Sequence, residues 1–315
     1  MTTSSDQTTI ADAAKLWLAR CELEQLERAT LHSYRSHVKH HIEPKIGYLL
    51  LNQLSAVHVR DFLDGMLCES TRAMAKKCLT SLRSIISAAQ ERGLVMHNVA
   101  RDVKLRRSER HDPDRVFPTK EEIRAMLTNA PERHKPLIMT ALFTGMRMSE
   151  LRGLSWTAVD FQRSVITVRQ RADRYCEMGN TKSKSGRREI PMGPKLAAVL
   201  AAWKIACPKG ELDLVFPNGK GNVETHSNIY NRIFKPLMLS CGIVNGEGGP
   251  RFSLHAMRHA AASLFIEQGW PPKKIQTMLG HSSITMTYDV YGHLFHDPAK
   301  DVDLMGEMER GLMAA

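Results

Sequence analysis

No CxxC pair occurs among the six cysteines, and their scatter (Cys21, Cys68, Cys78, Cys176, Cys207 and Cys241) provides neither structural-zinc spacing nor a disulfide framework. Reduced packing residues are the expectation. No apolar run approaches the roughly 20 residues that span a bilayer. The opening MTTSSDQTTIADAAKLW lacks a basic segment followed by an apolar one, so neither a membrane anchor nor a secretory leader is expected and the sequence reads as cytoplasmic. Internal repeats and low-complexity tracts are also missing, which excludes solenoids and fibrous architectures.

What is present is an ordinary globular composition with a basic excess. The chain has 315 residues, 43% hydrophobic and 24% charged, with a formal net charge of +11. Its length favours about two domains. Residues 1–110 carry 17 Lys and Arg against 12 Asp and Glu, leaving 27 against 21 in the remainder. Both parts are basic, as a polyanion touched by both halves would require, because Lys and Arg release its condensed counterions.

Apolar residues recur at helical spacing up to about Leu105, as in Ala14, Trp17, Leu18 and Cys21 and again in Leu79, Leu82, Ile85, Ile86 and Ala89. HIEPKIGYLLLNQL reads as a turn between helices. Residues 106–118, RRSERHDPDRVFP, mix charges with two prolines and mark an exposed linker. Thr119, with Glu122 three positions on, has the spacing of a capping box and opens a second domain. There, helices over Lys120–Asn129 and His134–Thr144 lead to SVITVRQ, a strand by its alternating β-branched residues. A basic loop, GNTKSKSGRR, separates it from the short strand REIPM, and helices follow around 194–206, 228–241, 253–268 and 272–279.

Four clusters offer chemistry, each with a plainer alternative. In TGMRMSEL, Arg147 and Glu150 lie one turn apart and suit a surface ion pair. Lys182 and Lys184 fall in the basic loop, where solvated charge is the default. His255 and Arg258 sit one turn apart on a helix whose Leu254, Met257, Ala261 and Leu264 face the core. The His255 and His259 spacing also suits zinc, but the position of a metalloprotease glutamate is Ala256 and Arg258 would set a cation beside the metal. Finally, His281 precedes a short helix bearing Tyr288 and Tyr291, tyrosines that are ordinarily packing residues.

The order Arg, Lys, His-x-x-Arg, His, Tyr in a basic domain strongly resembles the catalytic domain of the tyrosine recombinase family, which includes phage integrases and Xer-type recombinases. TGMRMSELRGLSW, TKSKSGRREIPM, LHAMRH and MLGHSSITMTYDVYGHLF carry the resemblance, over about Thr119 to Phe295. The resemblance implies a mainly α protein. Residues 1–105 would be a helical, SAM-like core-site DNA-binding domain and 106–118 the linker. Residues 119–298 would be a mostly helical catalytic domain with a small antiparallel sheet, and 299–315 a tail helix for subunit docking. The two domains would form a C-shaped clamp. Ala256 and Ala260 depart from the family pattern, which often has polar residues there. No arm-binding segment is expected before the core-binding helices.

Phosphodiester cleavage must stabilise charge on nonbridging oxygens while an alkoxide leaves, and no carboxylate cluster suited to magnesium is visible in the sequence. Two guanidiniums, Arg147 and Arg258, offer planar donor forks instead, with His255 and His281 adding hydrogen bonds. By resemblance Tyr291 is the nucleophile forming a 3′-phosphotyrosine, with Tyr288, one turn earlier on nearly the same face, a competitor; His255 is its base and Lys182 the acid for the leaving 5′ oxygen, with Lys184 a competitor; Glu150 supports Arg147. The resemblance implies no metal and no cofactor. It implies double-stranded DNA as partner, a homo-tetramer on paired sites joined through a Holliday junction, and an accessory directionality factor as a further partner, in a phage or integrative element. A type IB topoisomerase and a non-catalytic DNA-binding regulator are the competing expectations.

Overall fold

A computed structural model of the chain describes residues 7–106, 117–181, 183–295 and 298–313. The linker expected over 106–118 falls almost wholly outside the described residues, as does Lys182. The chain divides into two compact units, residues 1–114 and 115–315. Among the described residues it is mainly helical, with two small antiparallel sheets.

The first unit is built from α1 (Ile10–Leu23), α2 (Arg28–His37), α3 (Glu43–Ile46), α4 (Ala56–Glu69) and α5 (Arg72–Glu91). Short polar residues set the helix starts. Thr9 and Asp12 close a capping box on α1, Ser55 and His58 do so on α4, and Thr71 caps α5. The buried faces follow the apolar spacing: Ile10, Ala14, Trp17 and Cys21 of α1 join Leu79, Leu82, Ile85 and Ile86 of α5 in one core. Arg83 binds the chain beyond α5 through the carbonyls of Ala100 (2.9 Å) and Val103 (2.5 Å). The turn expected at HIEPK is instead helical: a π-turn over Val38–Ile42 runs straight from α2 into α3, and Pro44, which has no N–H to continue an α-helical ladder, follows just after it.

The second unit begins with α6 (Lys120–Asn129), capped by the reciprocal Thr119 and Glu122 bonds, and α7 (Lys135–Thr144). Helix α7 is apolar on all sides and buries Leu137, Ile138, Met139, Ala141 and Leu142. Three consecutive alanines, Ala260–Ala262, let α12 (Ala256–Glu267) lie close against it. Between them come α8 (Met148–Arg152), β1 (Val159–Asp160), β2 (Val165–Val168), β3 (Gln170–Ala172), β4 (Met178–Asn180), β5 (Arg188–Pro191), α9 (Pro194–Ala206), α10 (His226–Asn228) and α11 (Lys235–Ser240). After α12 follow α13 (Pro272–Leu279), α14 (Ile284–Tyr291) and α15 (Pro298–Met313).

The main sheet has the order β1-β2-β5, with Ile166 opposite Ile190 and Val168 opposite Arg188. The β3–β4 hairpin was not expected from the sequence, because RADRYCEMGN has no apolar alternation; within β3 and β4 only Ala172 is fully buried. The helix expected over 253–268 starts at Ala256, leaving His255 as its N-cap residue. Among the described residues, no helix is long and apolar enough to cross a membrane.

Candidate active site

Helix α7 must stop sharply for the site to form. Gly145 does this with a left-handed φ of 60°, and a side chain there would bring its Cβ within 2.7 Å of Leu279 Cδ2. The chain then re-enters α8 with Arg147 as its N-cap residue. Arg147 donates from its backbone N to Glu150 Oε2 (2.9 Å), from Nη1 to Glu150 Oε1 (2.9 Å) and from Nη2 to the Gly280 carbonyl (2.9 Å).

Glu150 is no surface partner: it is 2% exposed. Its second cation, Arg188, was not among the expected site residues. Arg188 donates from Nη2 to Oε2 (2.8 Å) and from Nη1 to Oε1 (3.1 Å), and also binds the carbonyls of Met278 (2.7 Å) and Gly186 (3.0 Å). Burial by itself raises the Glu150 carboxyl, but the Arg188 hydrogen bonds and charge, with Arg147, outweigh it and hold the group below its ordinary range. The sequence does contain a sign of Arg188. With a period of two it shares the inward face of β5 with Ile190, an unusual place for an unpaired arginine.

Both arginines thus grip the end of α13 and fix the turn into His281. Gly280 takes φ 66° there, and a Cβ would meet Arg188 Nη1 and the Ser185 carbonyl, each at 2.9 Å. His281 is buried, with Nδ1 2.9 Å from Thr287 Oγ1. Burial first, then Arg258, Arg147, Arg188 and His255, push its imidazole down to about 4. The ring is therefore neutral at neutral pH. With the Thr287 hydroxyl donating to Nδ1, Nε2 carries the proton and is a donor toward an anion.

Arg258 is 4% exposed. Nη1 donates to the Gly145 carbonyl (2.7 Å), whereas Nη2 has no hydrogen-bond partner among the described residues. Burial, with Arg147 and Arg188 adding to it and Glu150 and Tyr291 opposing, pushes this guanidinium down to about 9. It remains protonated at neutral pH, beside Arg147 and Arg188, whose charges together with its own exceed what Glu150 neutralises. An oxyanion would relieve both the excess charge and the buried, unbonded N–H.

The tyrosines differ sharply. Spacing places Tyr288 and Tyr291 on nearly the same face, but Tyr291 is 1% exposed and Tyr288 49%. Thr287 and Tyr291, four apart, form the narrow buried edge of α14, and Tyr288 falls outside it against Phe295. The Tyr291 hydroxyl lies 2.7 Å from Nδ1 of His259, a residue considered in the sequence only as a metal ligand. Phe117 packs on both rings, with centroids 5.3 Å from His259 and 5.9 Å from Tyr291. His255 meets His259 edge to face at 4.8 Å. Tyr291 is near enough to Arg258, and His255 to His281, to act on them electrostatically, so all these groups belong to one site. Lys182 lies outside the described residues; Lys184 is exposed in the turn before β5.

The phage integrase family matches residues 117–297, and the phage integrase N-terminal SAM-like domain matches residues 9–67. A tyrosine recombinase XerC-like protein of Caldanaerobacter subterraneus subsp. tengcongensis is 24% identical over 318 residues, covering 91% of this chain and 79% of its own. In fold, the chain is similar to the Tn1549 transposon integrase in complex with a circular intermediate DNA. That likeness has a TM-score of 0.77 at 21% identity and covers 96% of this chain and 99% of that one. It is also similar to a lambda integrase tetramer bound to a Holliday junction, with a TM-score of 0.69 at 19% identity over 88% of this chain and 78% of that one.

Proposed function

The chain belongs to the phage integrase family and is a tyrosine-type site-specific recombinase, a DNA strand transferase; from that premise we propose that it cuts and rejoins double-stranded DNA of an integrative element through a 3′-phosphotyrosine at Tyr291. The observation that carries this assignment is the buried Nη2 of Arg258, unpaired among the described residues, in a cationic site that includes Arg147, a neutral His281 and the Tyr291 hydroxyl.

In this mechanism Arg147 and Arg258 hold the nonbridging oxygens, and His281 Nε2 and His255 donate to the same group. Charge developing on the phosphorane meets donors already in position, so little reorganisation is needed at the moment of reaction. Attack by Tyr291 Oη forms the P–O bond to tyrosine and breaks the bond to the 5′ oxygen, which takes a proton from Lys182. The phosphotyrosine conserves the phosphodiester linkage, so rejoining to a second 5′-hydroxyl consumes neither ATP nor a metal.

The helical first unit, net basic and matching the SAM-like domain, is the proposed core-site binder. Four copies on paired sites, as in the lambda integrase tetramer on its junction, would exchange strands in the cytoplasm, with an accessory factor setting direction. Helix α15 is the proposed docking element between copies: Val302, Met305, Met308 and Leu312 are exposed on it, whereas the side chain of Leu304 lies outside the described residues.

The test is recombination in vitro between DNA segments carrying the junctions that flank the gene, without ATP or divalent cations. Reciprocal products are expected. Relaxation of a supercoiled plasmid with no recombinant product would replace this assignment with a topoisomerase.

A further inference from the structure

His259 follows Arg258 on α12, so the helix that buries the guanidinium turns the next side chain toward α14. Its Nδ1 and the Tyr291 hydroxyl are 2.7 Å apart, inside the range from which a general base takes a proton. The contact is held from three sides. Phe117 lies against both rings, His255 stands edge-on to His259, and Tyr291 is fixed at the buried end of α14. A phenol buried this deeply needs a hydrogen-bond partner in any case; here the partner is a ring nitrogen, which can take the proton as well as accept the bond, and it meets the one atom that must lose a proton.

We propose that His259, rather than His255, is the residue that takes the proton from Tyr291 as the phenol attacks DNA and returns it on religation; this rests on Tyr291 being the nucleophile.

In the resting state the phenol O–H donates to Nδ1, and the imidazole keeps its own proton on Nε2. As Oη bonds to phosphorus the proton passes to Nδ1 and the P–O5′ bond breaks, its electron pair leaving on the 5′ oxygen. That oxygen is protonated separately by the lysine acid. The imidazolium then stands beside a bridging oxygen next to negative phosphate oxygens, a favourable place for positive charge. When a 5′-hydroxyl attacks the phosphotyrosine, the same Nδ1–H protonates the departing phenolate. One nitrogen serves both directions, and the proton count is unchanged over a full cycle. His255, on the adjoining turn, is left to donate to the phosphate.

The experiment measures single-turnover formation of the covalent adduct on a nicked DNA site between pH 5 and 9, in the full chain. Asn at position 259 can place its amide near Nδ1 and keep a hydrogen bond to the phenol without accepting a proton. The expected result for His259→Asn is unchanged DNA affinity in a gel shift, a cleavage rate lower by about 100-fold, and loss of the rate's rise with pH. His255→Asn should lose rate but keep that rise.

A second measurement needs no substitution of His259. Replacing all tyrosines by 3-fluorotyrosine makes the phenol more acidic. The acid limb should keep its midpoint if it reports the imidazole, and should move down if it reports the phenol itself. Among the described residues, the titratable groups in ring contact or hydrogen bond with His259 are His255 on its own helix and Tyr291 on α14, with Phe117 contributing none; the His255 variant separates the first of these and fluorination the second.

Wild-type rate and pH dependence in His259→Asn, or an acid limb that moves on fluorination, overturns the assignment of His259. Tyr291→Phe runs alongside: an adduct persisting in that variant defeats the nucleophile assignment itself, an outcome distinct from either result at position 259.

Discussion

Glu150 and Arg188 form a two-pronged ion pair shut away from water, with nitrogen to oxygen distances of 2.8 and 3.1 Å, and the same carboxylate holds Arg147. Through it, the strand that follows the lysine loop, the helix that starts with Arg147, and the turn that presents His281 become one unit.

Breaking this pair by removing one partner leaves the other as a buried, uncompensated charge. Glu150→Gln should therefore lower unfolding free energy by about 3–5 kcal/mol. The exposed Arg163–Glu189 pair supplies the contrast, since Glu189→Gln should cost no more than about 1 kcal/mol. Urea denaturation of both variants checks the difference, and equal effects would contradict the role given to Glu150.

Arg258 should matter to chemistry more than to affinity if, as proposed, its buried Nη2, which has no partner among the described residues, meets charge that grows in the transition state. Arg258→Ala should bind a DNA site with little change in a gel shift but form the covalent adduct about 100- to 1000-fold more slowly. A parallel loss of binding and rate would assign it to ground-state affinity instead.

The depressed imidazole of His281 couples stability to pH. Its folded-state value of about 4 lies below its ordinary 6.5, so between these values the unfolded chain binds the extra proton. Stability should therefore rise as pH increases from about 4 to 6.5 and level off above. His37, His134 and His226, also lowered by burial, act in the same direction. Melting temperatures across this window should show a shallower slope in His281→Asn than in the wild-type chain.

The acid for the leaving oxygen is tested by a bridging phosphorothiolate, whose sulfur leaves without protonation. Such DNA should restore cleavage to Lys182→Ala, and rescue of Lys184→Ala instead would move the role to Lys184.

How much of this was legible in the sequence follows from the range of the interactions. Capping boxes, apolar periodicity and the alternation in SVITV depend on neighbours within a turn or two, and the Thr119 start and the strand over Val165–Val168 stand where the residues placed them. The Arg147–Glu150 pair was visible for the same reason. Its burial was not, because that depends on Arg188, 38 positions away and brought in by strand register. The contrast between Tyr288 and Tyr291 also escaped spacing: residues three apart share a broad face, but α14 buries only a narrow edge. The His259 to Tyr291 hydrogen bond joins residues 32 apart on two helices, and no local pattern announces it.

If Tyr291 attacks DNA, it carries the nucleotide after cleavage. The most direct measurement is to trap the covalent adduct on a nicked DNA site, digest the protein, and identify the modified peptide by mass spectrometry. The nucleotide is expected on Tyr291, with no adduct in Tyr291→Phe and normal trapping in Tyr288→Phe. A nucleotide mapped to Tyr288, or an adduct that survives in Tyr291→Phe, would contradict it.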